Sequence, residues 1–351
     1  MALNKKNLFI AHTEYHLMMS VHIAITNYSV GYENIIYITK SPNRFNMALN
    51  CNVSEYIKFR LFDNIDENEF CNVAISDNYN RFFFFQEMSI FNKYIAHKLK
   101  QNGTIICLAP DGTKPYGLFY KKNELLSLIK NTIEDYFIFR KSGLRMKSIF
   151  PSRYYRYGSF RILDEVWLTN PELFNKKRNK TKGEIIKIKP FGMPSLKLFE
   201  NLFCFQDELK NTRNGIIIYF NQPFNNSQMI EKEFEFLTKV VCNFNDSPFF
   251  IKLHPLTSSD SLLRYTSLNG VKLIESKFPA ELYINSLTNS IIFSGWSAAL
   301  ASHNKACNYY YNYPIYESVK DMLFSQIIIT PLPHIHVVEA PEDMKFQKKV
   351  Q

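Results

Sequence analysis

Long apolar runs are missing from this sequence of 351 residues. The longest, such as 215–220 and 290–293, have the length of strands, and none approaches the roughly 20 residues that a membrane-spanning helix needs. Polar side chains interrupt the stretch behind Lys5 and Lys6, which is not the pattern of a signal peptide. We therefore expect a cytoplasmic protein, and peripheral attachment to the inner face of the cytoplasmic membrane stays open.

Patterned cysteines and histidines are also missing. The 6 cysteines include no CxxC motif, and the 8 histidines include no HExxH motif. This distribution favours buried free thiols over disulfides or a zinc site. No structural metal site is expected.

Basic residues, by contrast, are in excess: Lys and Arg number 42 against 32 Asp and Glu, a net charge of +10. Nucleic acid, an anionic membrane surface and a phosphorylated substrate all suit such a charge. The basic residues concentrate at 140–161, where aromatic residues are interleaved, and at 176–189. No helix-turn-helix, zinc-finger or RNP motif accompanies them. A solvated basic face or a membrane-docking surface is therefore favoured over nucleic-acid binding.

Strand and helix patterns alternate along the chain, which indicates an α/β fold with parallel sheets. After a Gly/Pro break at 191–194 the alternation restarts, so we predict domains at 1–190 and 191–351. Ligands of such sheets bind beyond the carboxyl ends of the strands. The cleft between two such domains is the expected site. Strands are predicted at 7–12, 34–38, 73–76, 104–108, 165–169, 185–188, 215–220, 248–253, 271–274 and 290–293.

A His-Pro pair ends the strand predicted at 248–253. Pro255 disfavours the helical conformation at His254, so the chain stays extended to the edge of the sheet. Lys252, two residues earlier, shares the face of His254. Two such groups at a strand end suit a phosphate, and an ordinary His-Pro turn fits the spacing equally well.

A Ser-rich turn at 294–297 joins the strand predicted at 290–293 to a helix predicted at 297–302. Ser297 is a candidate N-cap. The hydroxyls and amides at such a helix start bind phosphate. An N-cap without a ligand explains the same residues.

Two further groups of polar residues follow predicted strands of the first half. Gly112 permits a turn that directs the Asp111 carboxylate outward, and such a carboxylate can act as a general base. An Asp-Gly turn without chemistry is the alternative. Residues 12–16 offer hydrogen-bonding groups for a sugar hydroxyl, although His16 is more typical of a helix face than of catalysis.

The order of these motifs resembles that of the bacterial GT-B sialyltransferases, which include the lipooligosaccharide sialyltransferases and the capsule polysialyltransferases. Residues 7–17 and the Phe-Pro-Ala-Glu sequence at 278–281 are also similar to that group. The similarity extends from residue 7 to about residue 305 as spaced short motifs. It implies a GT-B fold with two Rossmann-like domains, the first binding the acceptor and the second binding the CMP-sugar, and a last helix that packs back on the first domain.

The resemblance also implies a role for each motif. Asp111 would deprotonate the acceptor hydroxyl, and His254 would bind the CMP phosphate and assist its departure. The first acidic position of the family motif is Pro110 in this chain, which leaves Glu14 as a second candidate for the base. The other donor-binding residues would be Lys252, Pro255, Glu281, Ser294, Gly295 and Ser297. The acceptor-binding residues would be Thr13, Glu14, Tyr15, His16 and Gly112.

The resulting expectation is an inverting glycosyltransferase that needs neither metal nor cofactor. It would move sialic acid, or a related nonulosonic acid, from CMP to a galactoside-type acceptor in lipopolysaccharide or capsule synthesis. The acceptor would be lipid-linked, with region 140–161 docking on an anionic membrane, and no nucleic acid is expected as a partner. Two alternatives stay open: a GT-B transferase for another nucleotide sugar or for CDP-glycerol, and a basic nucleic-acid-binding protein.

Overall fold

A computed structural model of the protein describes residues 5–40, 49–52, 54–63, 66–87, 89–116, 119–120, 157–179, 181–224, 226–319 and 327–347. The chain divides into two compact units, Met1–Cys204 and Phe205–Gln351. Each contains a parallel sheet with helices between its strands. The fold class predicted from the sequence, two Rossmann-like α/β domains, is confirmed.

The first unit is built on a seven-stranded parallel sheet. Its central strands are buried on both faces, since residues 8–11 and 82–84 have no exposed surface, and such strands are continuous apolar runs. The unit's strands are β1 Lys5–Ala11, β2 Tyr32–Lys40, β3 Ile57–Asp63, β4 Arg81–Phe84, β5 Ile105–Leu108, β6 Phe119–Tyr120, β7 Glu165–Leu168 and β8 Glu184–Lys187. The order in the sheet is β3-β2-β1-β4-β5-β7-β8.

Five α-helices belong to the described part of the first unit: α1 Glu14–Asn27, α2 Glu67–Ile75, α3 Ile90–Gln101, α4 Lys176–Asn179 and α5 Met193–Leu202. The strand predicted at 73–76 is wrong, because most of that stretch belongs to α2. Phe70, Cys71 and Ala74 are buried there, and this spacing places them on one face of a helix.

The first unit extends beyond the predicted boundary at 190/191. The break at 191–194 begins α5 and is not a linker, with Pro194 in the first turn of the helix, where proline is tolerated. His22 on α1 connects residues 189–195 to the first unit. Its Nδ1 lies 2.9 Å from Oγ of Ser195, and its Nε2 donates to the carbonyl of Lys189 at 2.7 Å. The unit therefore ends at Cys204.

The second unit contains a six-stranded parallel sheet in the order β11-β10-β9-β12-β13-β15. Aromatic and branched side chains from one face of this sheet, such as Tyr219, Ile251 and Phe293, pack into a buried core cluster. The strands are β9 Ile217–Phe220, β10 Phe249–Lys252, β11 Val271–Ile274, β12 Ser290–Ser294, β13 Cys307–Tyr311, β14 Ile327–Ile328 and β15 Ile335–Val337. The α-helices are α6 Ser227–Asn243, α7 Ser259–Ser267 and α8 Ala280–Ile284.

The last described residues pack on the second unit itself. Phe346 lies edge-on against Phe244 of the same unit, and the hydroxyl of Tyr310 donates to the carbonyl of Lys345 at 3.1 Å. Residues 341–347 form one 3-10 turn, Pro341–Asp343, followed by a stretch without regular secondary structure, so the described residues contain no last helix that returns to the first domain. No helix within the described ranges has the length and apolar character of a membrane span.

Candidate functional site

Both sheets reverse their strand order at one point, between β1 and β4 in the first unit and between β9 and β12 in the second. Ligands of open α/β sheets bind beyond the carboxyl ends of the strands at such a point. In the first unit these ends comprise residues 11–16, 84–87 and 108–114, termed the first-unit edge. In the second unit they comprise residues 220–224, 252–257, 274–281 and 294–297, termed the second-unit edge. All the sequence-predicted site residues lie at one of these two edges.

Asp111 follows β5 at the first-unit edge, and the next residue, Gly112, has a left-handed φ of +60°, which glycine adopts without strain. One carboxylate oxygen lies 3.2 Å from Nε2 of His16, and the other accepts from Nζ of Lys114 at 2.5 Å. Burial acts to raise the pKa of Asp111, but the hydrogen bonds and charges of His16 and Lys114 outweigh it and lower the pKa to about 2. Asp111 is therefore ionised at neutral pH.

His16 lies behind Asp111, in the first turns of α1, with its side chain fully buried. Its Nδ1 accepts from the backbone N–H of His12 at 3.3 Å, so the ring hydrogen of the neutral form is on Nε2 and points at Asp111. The ring also stacks on Phe85, with centroids 4.5 Å apart. These contacts fix the imidazole, and the imidazole in turn orients the carboxylate.

The other predicted acceptor residues of α1 stand at the same edge, half-buried. Thr13 caps the helix, and its hydroxyl oxygen accepts from the N–H of His16 at 3.2 Å. Glu14, the second candidate for the base, lies in the first turn, where the helix dipole favours a carboxylate. The Tyr15 ring lies edge-on to His16.

Sequence reasoning missed several neighbours of these residues. The contact of Lys114 with Asp111 could have been predicted, because a turn brings together residues that are three positions apart. The contacts of Thr39 and Asn92 with His12 could not have been predicted, since these residues come from distant parts of the chain. The hydroxyl of Thr39 lies 2.7 Å from Nδ1 of His12, and Nδ2 of Asn92 lies 3.4 Å from Nε2 of the same ring.

The backbone before Asp111 is held from the other side. The hydroxyl of Tyr157 donates to the carbonyl of Ala109 at 2.5 Å. Gly158, the residue after Tyr157, donates its N–H to the buried carboxylate of Glu87 at 2.7 Å. Burial raises the pKa of Glu87 to about 7. The turn that presents Asp111 is thus anchored to the end of β4.

His254 follows β10 at the second-unit edge. Its backbone N–H donates to Oδ1 of Asn221 at 2.9 Å. Its carbonyl accepts from the N–H of Thr257 at 2.9 Å, which closes a turn with Pro255 at the second position, where proline is favoured. The predicted His-Pro turn is therefore a fixed feature of this edge.

The ring of His254 has a defined orientation. Its Nδ1 accepts from the backbone N–H of Leu256 at 3.1 Å, so the hydrogen of the neutral ring is on Nε2. Within the described residues Nε2 itself has no hydrogen-bond partner. Burial, followed by the charge of Lys252, lowers the pKa of His254 below its ordinary 6.5. At neutral pH His254 thus presents an N–H donor, which suits a phosphate oxygen.

Lys252 is enclosed at the second-unit edge. The residue is 6% exposed, and Nζ donates to the carbonyl of Ser276 at 2.5 Å and to that of Leu253 at 3.3 Å. Lys252 therefore joins the end of β10 to the segment after β11. Glu281, in the first turn of α8, is also buried at this edge.

The Ser-rich turn holds itself together. The hydroxyl of Ser294 donates to the carbonyl of Phe220 at 2.7 Å and accepts from Nε2 of Gln222 and from the N–H of Ser297, which uses its full hydrogen-bonding capacity. Ser297 is an N-cap as predicted, and its hydroxyl accepts from the N–H of Ala299. The predicted helix at 297–302 is corrected to a 3-10 turn, Ala298–Ala301, which presents fewer free amides than an α-helix.

Among the described residues, no group of three or more His, Cys, Asp and Glu side chains is arranged to hold a metal ion. The cysteines of these ranges are free thiols.

No family model and no curated protein sequence matches the chain, whereas solved structures do. The GT-B domain of a sialyltransferase from Photobacterium damselae, residues 113–497 of that protein, aligns with a TM-score of 0.55 and 11% identity over 95% of this chain and 99% of that one. A protein from Listeria monocytogenes, provisionally assigned as a UDP-N-acetylglucosamine 2-epimerase, aligns with a TM-score of 0.51 and 12% identity over 85% of this chain and 76% of that one. At such identities the likeness is one of fold, and the fold is GT-B.

Proposed function

We propose that this protein is a glycosyltransferase that moves sialic acid, or a related nonulosonic acid, from a CMP-activated donor to a galactoside-type hydroxyl. The observation that carries the proposal is a pair of complementary groups at the carboxyl ends of the two sheets. Asp111 is an ionised, oriented carboxylate, and His254 is a neutral imidazole with its hydrogen on Nε2. The first can accept the proton that glycosyl transfer releases, and the second can stabilise the charge of the leaving phosphate.

In the proposed reaction Asp111 acts on the acceptor and His254 acts on the donor. The acceptor oxygen bonds to the anomeric carbon as the bond from that carbon to the CMP phosphate oxygen breaks, and CMP departs with the electron pair. Asp111 takes the proton of the acceptor hydroxyl, and Nε2–H of His254 donates to the phosphate oxygen that gains charge. Attack on the face opposite to CMP inverts the anomeric centre.

The low pKa of Asp111 is compatible with the role of base in this reaction. A carboxylate with a pKa near 2 is a poor base toward a free alcohol. An alcohol oxygen that has begun to bond to an oxocarbenium-like carbon becomes strongly acidic, so proton transfer late in the step needs only a weak base. The ion pair with Lys114 then serves to keep the carboxylate ionised and in place.

The remaining predicted residues would shape the binding of the two substrates. On the donor side, Pro255, Gly295 and Ser297 would face the phosphate, Lys252 would lie near the nucleotide, and Glu281 would contact the ribose. Ser294 would act through the turn that it holds. On the acceptor side, the groups offered are those of Thr13, Glu14, Tyr15 and Gly112.

Calorimetric titration with CMP, UDP and CDP-glycerol tests the donor class. We expect CMP to bind, and His254→Asn to weaken that binding. His303→Asn is the matched control, since His303 is exposed and precedes β13 at the opposite end of the strands. Binding of UDP or CDP-glycerol without CMP would assign another donor, and salt-sensitive binding of oligonucleotides without CMP would favour a nucleic-acid-binding protein.

We also propose that the acceptor is lipid-linked and that the protein docks on an anionic membrane. Most of the predicted docking region, at 140–156, lies outside the described residues. Part of the second basic stretch is described, and it exposes Lys176, Lys177, Lys182 and Lys187. We expect sedimentation with anionic but not with neutral vesicles at low salt. Equal sedimentation with both would contradict the docking proposal.

A further inference from the structure

A carboxylate is buried in the second unit without an ion-pair partner among the described residues. Glu233 on α6 is 1% exposed. It accepts hydrogen bonds from the hydroxyls of Tyr219 on β9 and Tyr265 on α7, the latter at 2.6 Å. Burying such a group is costly unless its hydrogen bonds are made, and two phenol donors make them.

The hydrogen bonds continue from Glu233 to the candidate donor site. The hydroxyl of Tyr265 accepts from Nδ2 of Asn221 at 2.8 Å. Oδ1 of the same amide accepts from the backbone N–H of His254 at 2.9 Å and from the hydroxyl of Thr257 at 2.5 Å. Asn221 directly follows β9 at the second-unit edge.

This chain of bonds has one direction. His254 donates to Asn221, Asn221 donates to Tyr265, and Tyr265 donates to the carboxylate, so every hydrogen points toward Glu233. Bonds in such a series polarise and strengthen one another. The amide of Asn221 therefore has one favoured orientation, with its oxygen toward the His254 turn.

We propose that Glu233 is a positioning residue, which acts through Tyr265 and Asn221 to hold the His254–Pro255 turn in the orientation that binds the donor phosphate. The proposal rests on the proposed function for the role of His254, and on the observed hydrogen bonds for the coupling. It adds to the site a residue that contacts no substrate and that no spacing in the sequence indicated.

Protonation of Glu233 reverses part of this arrangement. Burial raises the pKa of Glu233 to about 7, against which its hydrogen bonds act. The titratable groups that face it are Tyr219, Tyr265 and Tyr316. A protonated carboxyl is itself a donor, so one phenol must turn and the bonds toward Asn221 weaken. The positioning is therefore complete above the pKa of Glu233 and is reduced as the pH falls through it.

The test compares Glu233→Gln with Glu235→Gln, an exposed glutamate two positions along the same helix. At about pH 8 we expect Glu233→Gln to weaken CMP binding about tenfold, the worth of one hydrogen bond. At about pH 6, where the native carboxyl is protonated, the ratio of the two affinities should approach one. Because the same ligand is used throughout, its own titration cancels in the ratio. Glu235→Gln should leave the affinity unchanged at both values.

A second readout does not depend on the donor. Labelling with 15N-histidine gives 8 candidate backbone amides, and His254→Asn identifies the one of interest. Glu233→Gln should shift the His254 amide resonance and Glu235→Gln should not. If the protein binds no CMP, the proposed function fails while this resonance still decides the coupling. If CMP binds and neither affinity nor resonance responds to Glu233→Gln, the inference is overturned.

A milder pair of variants covers the case in which Glu233→Gln does not fold. Tyr265→Phe removes the hydroxyl that connects the carboxylate to Asn221. Tyr219→Phe removes an equally buried hydroxyl from the same carboxylate, off the path to His254. We expect Tyr265→Phe to weaken CMP binding more than Tyr219→Phe and to move the His254 amide further. Equal effects of the two variants would mean that Glu233 only stabilises the unit.

Discussion

Removal of His16 and Lys114, the partners of Asp111 among the described residues, singly and together, tests the electrostatics of the first-unit edge. His16→Phe keeps a ring that can stack on Phe85 but removes the hydrogen bond to the carboxylate. Lys114→Met removes the ion pair and keeps most of the aliphatic chain. In both variants the ionised form of Asp111 loses stabilisation, so its pKa rises.

The structure ranks the two effects. A hydrogen bond to a charged group is worth about 1.5–3 kcal/mol, so His16→Phe should lower the acid dissociation constant of Asp111 by about 10- to 100-fold. The side chain of Lys114 is 50% exposed, and such a pair contributes about 0–1 kcal/mol, less than about fivefold. In the double variant neither partner opposes burial, the largest influence on this carboxyl, and the pKa of Asp111 should rise above its ordinary value of 3.8.

The assay is a carboxyl 13C NMR titration of protein labelled at aspartate, with the Asp111 resonance identified by its loss in Asp111→Asn. We expect no titration of Asp111 in the native protein down to the lowest pH at which it stays folded. The pKa of Asp111 should increase in the order native protein, Lys114→Met, His16→Phe and double variant. A double variant that still titrates below the ordinary value, or a larger effect of Lys114→Met, would refute the assignment of His16 as the main orienting group.

Three further predictions concern single residues. Asp111→Asn should keep CMP affinity and lose turnover by about 100- to 10,000-fold. The control is Asp77→Asn, which breaks the ion pair of Asp77 with Lys6 in the same unit and should leave turnover unchanged. Near-normal turnover of Asp111→Asn would assign the base to another residue, Glu14 first. His254→Asn should weaken both CMP binding and turnover, and an unchanged rate would remove His254 from the site. Ser294→Ala leaves three hydrogen bonds of its turn unmade, so it should lower the free energy of unfolding by about 1–3 kcal/mol in chemical denaturation; an unchanged value would contradict a structural role for this hydroxyl.

Much of the fold could be predicted from the sequence, because its strands are short apolar runs that end at polar turns. The strands predicted at 104–108 and 248–253 are confirmed as Ile105–Leu108 and Phe249–Lys252, and each ends just before a proposed catalytic residue. The strand predicted at 73–76 was wrong because a few apolar residues fit a strand and a helix equally well. Its neighbours at 67–72, which complete the helical face, decide between the two.

The pairing of site residues was harder to predict, because it depends on which strands become neighbours. His16 and Asp111 are far apart in sequence and meet because β1 and β5 both flank β4. The strand alternation placed Lys252 and His254 on one face, but the long side chain of Lys252 reaches the carbonyl of Ser276. The coupling of Glu233 to Asn221 passes through tyrosines of two different elements, and no local pattern carries it.

Product analysis tests the central claim most directly. The protein is incubated with CMP-N-acetylneuraminic acid and a panel of galactosides, and the products are identified by mass spectrometry. The account predicts a sialylated galactoside and an equal amount of CMP, both lost in Asp111→Asn. Conversion of another nucleotide sugar with no product from the CMP donor would contradict it.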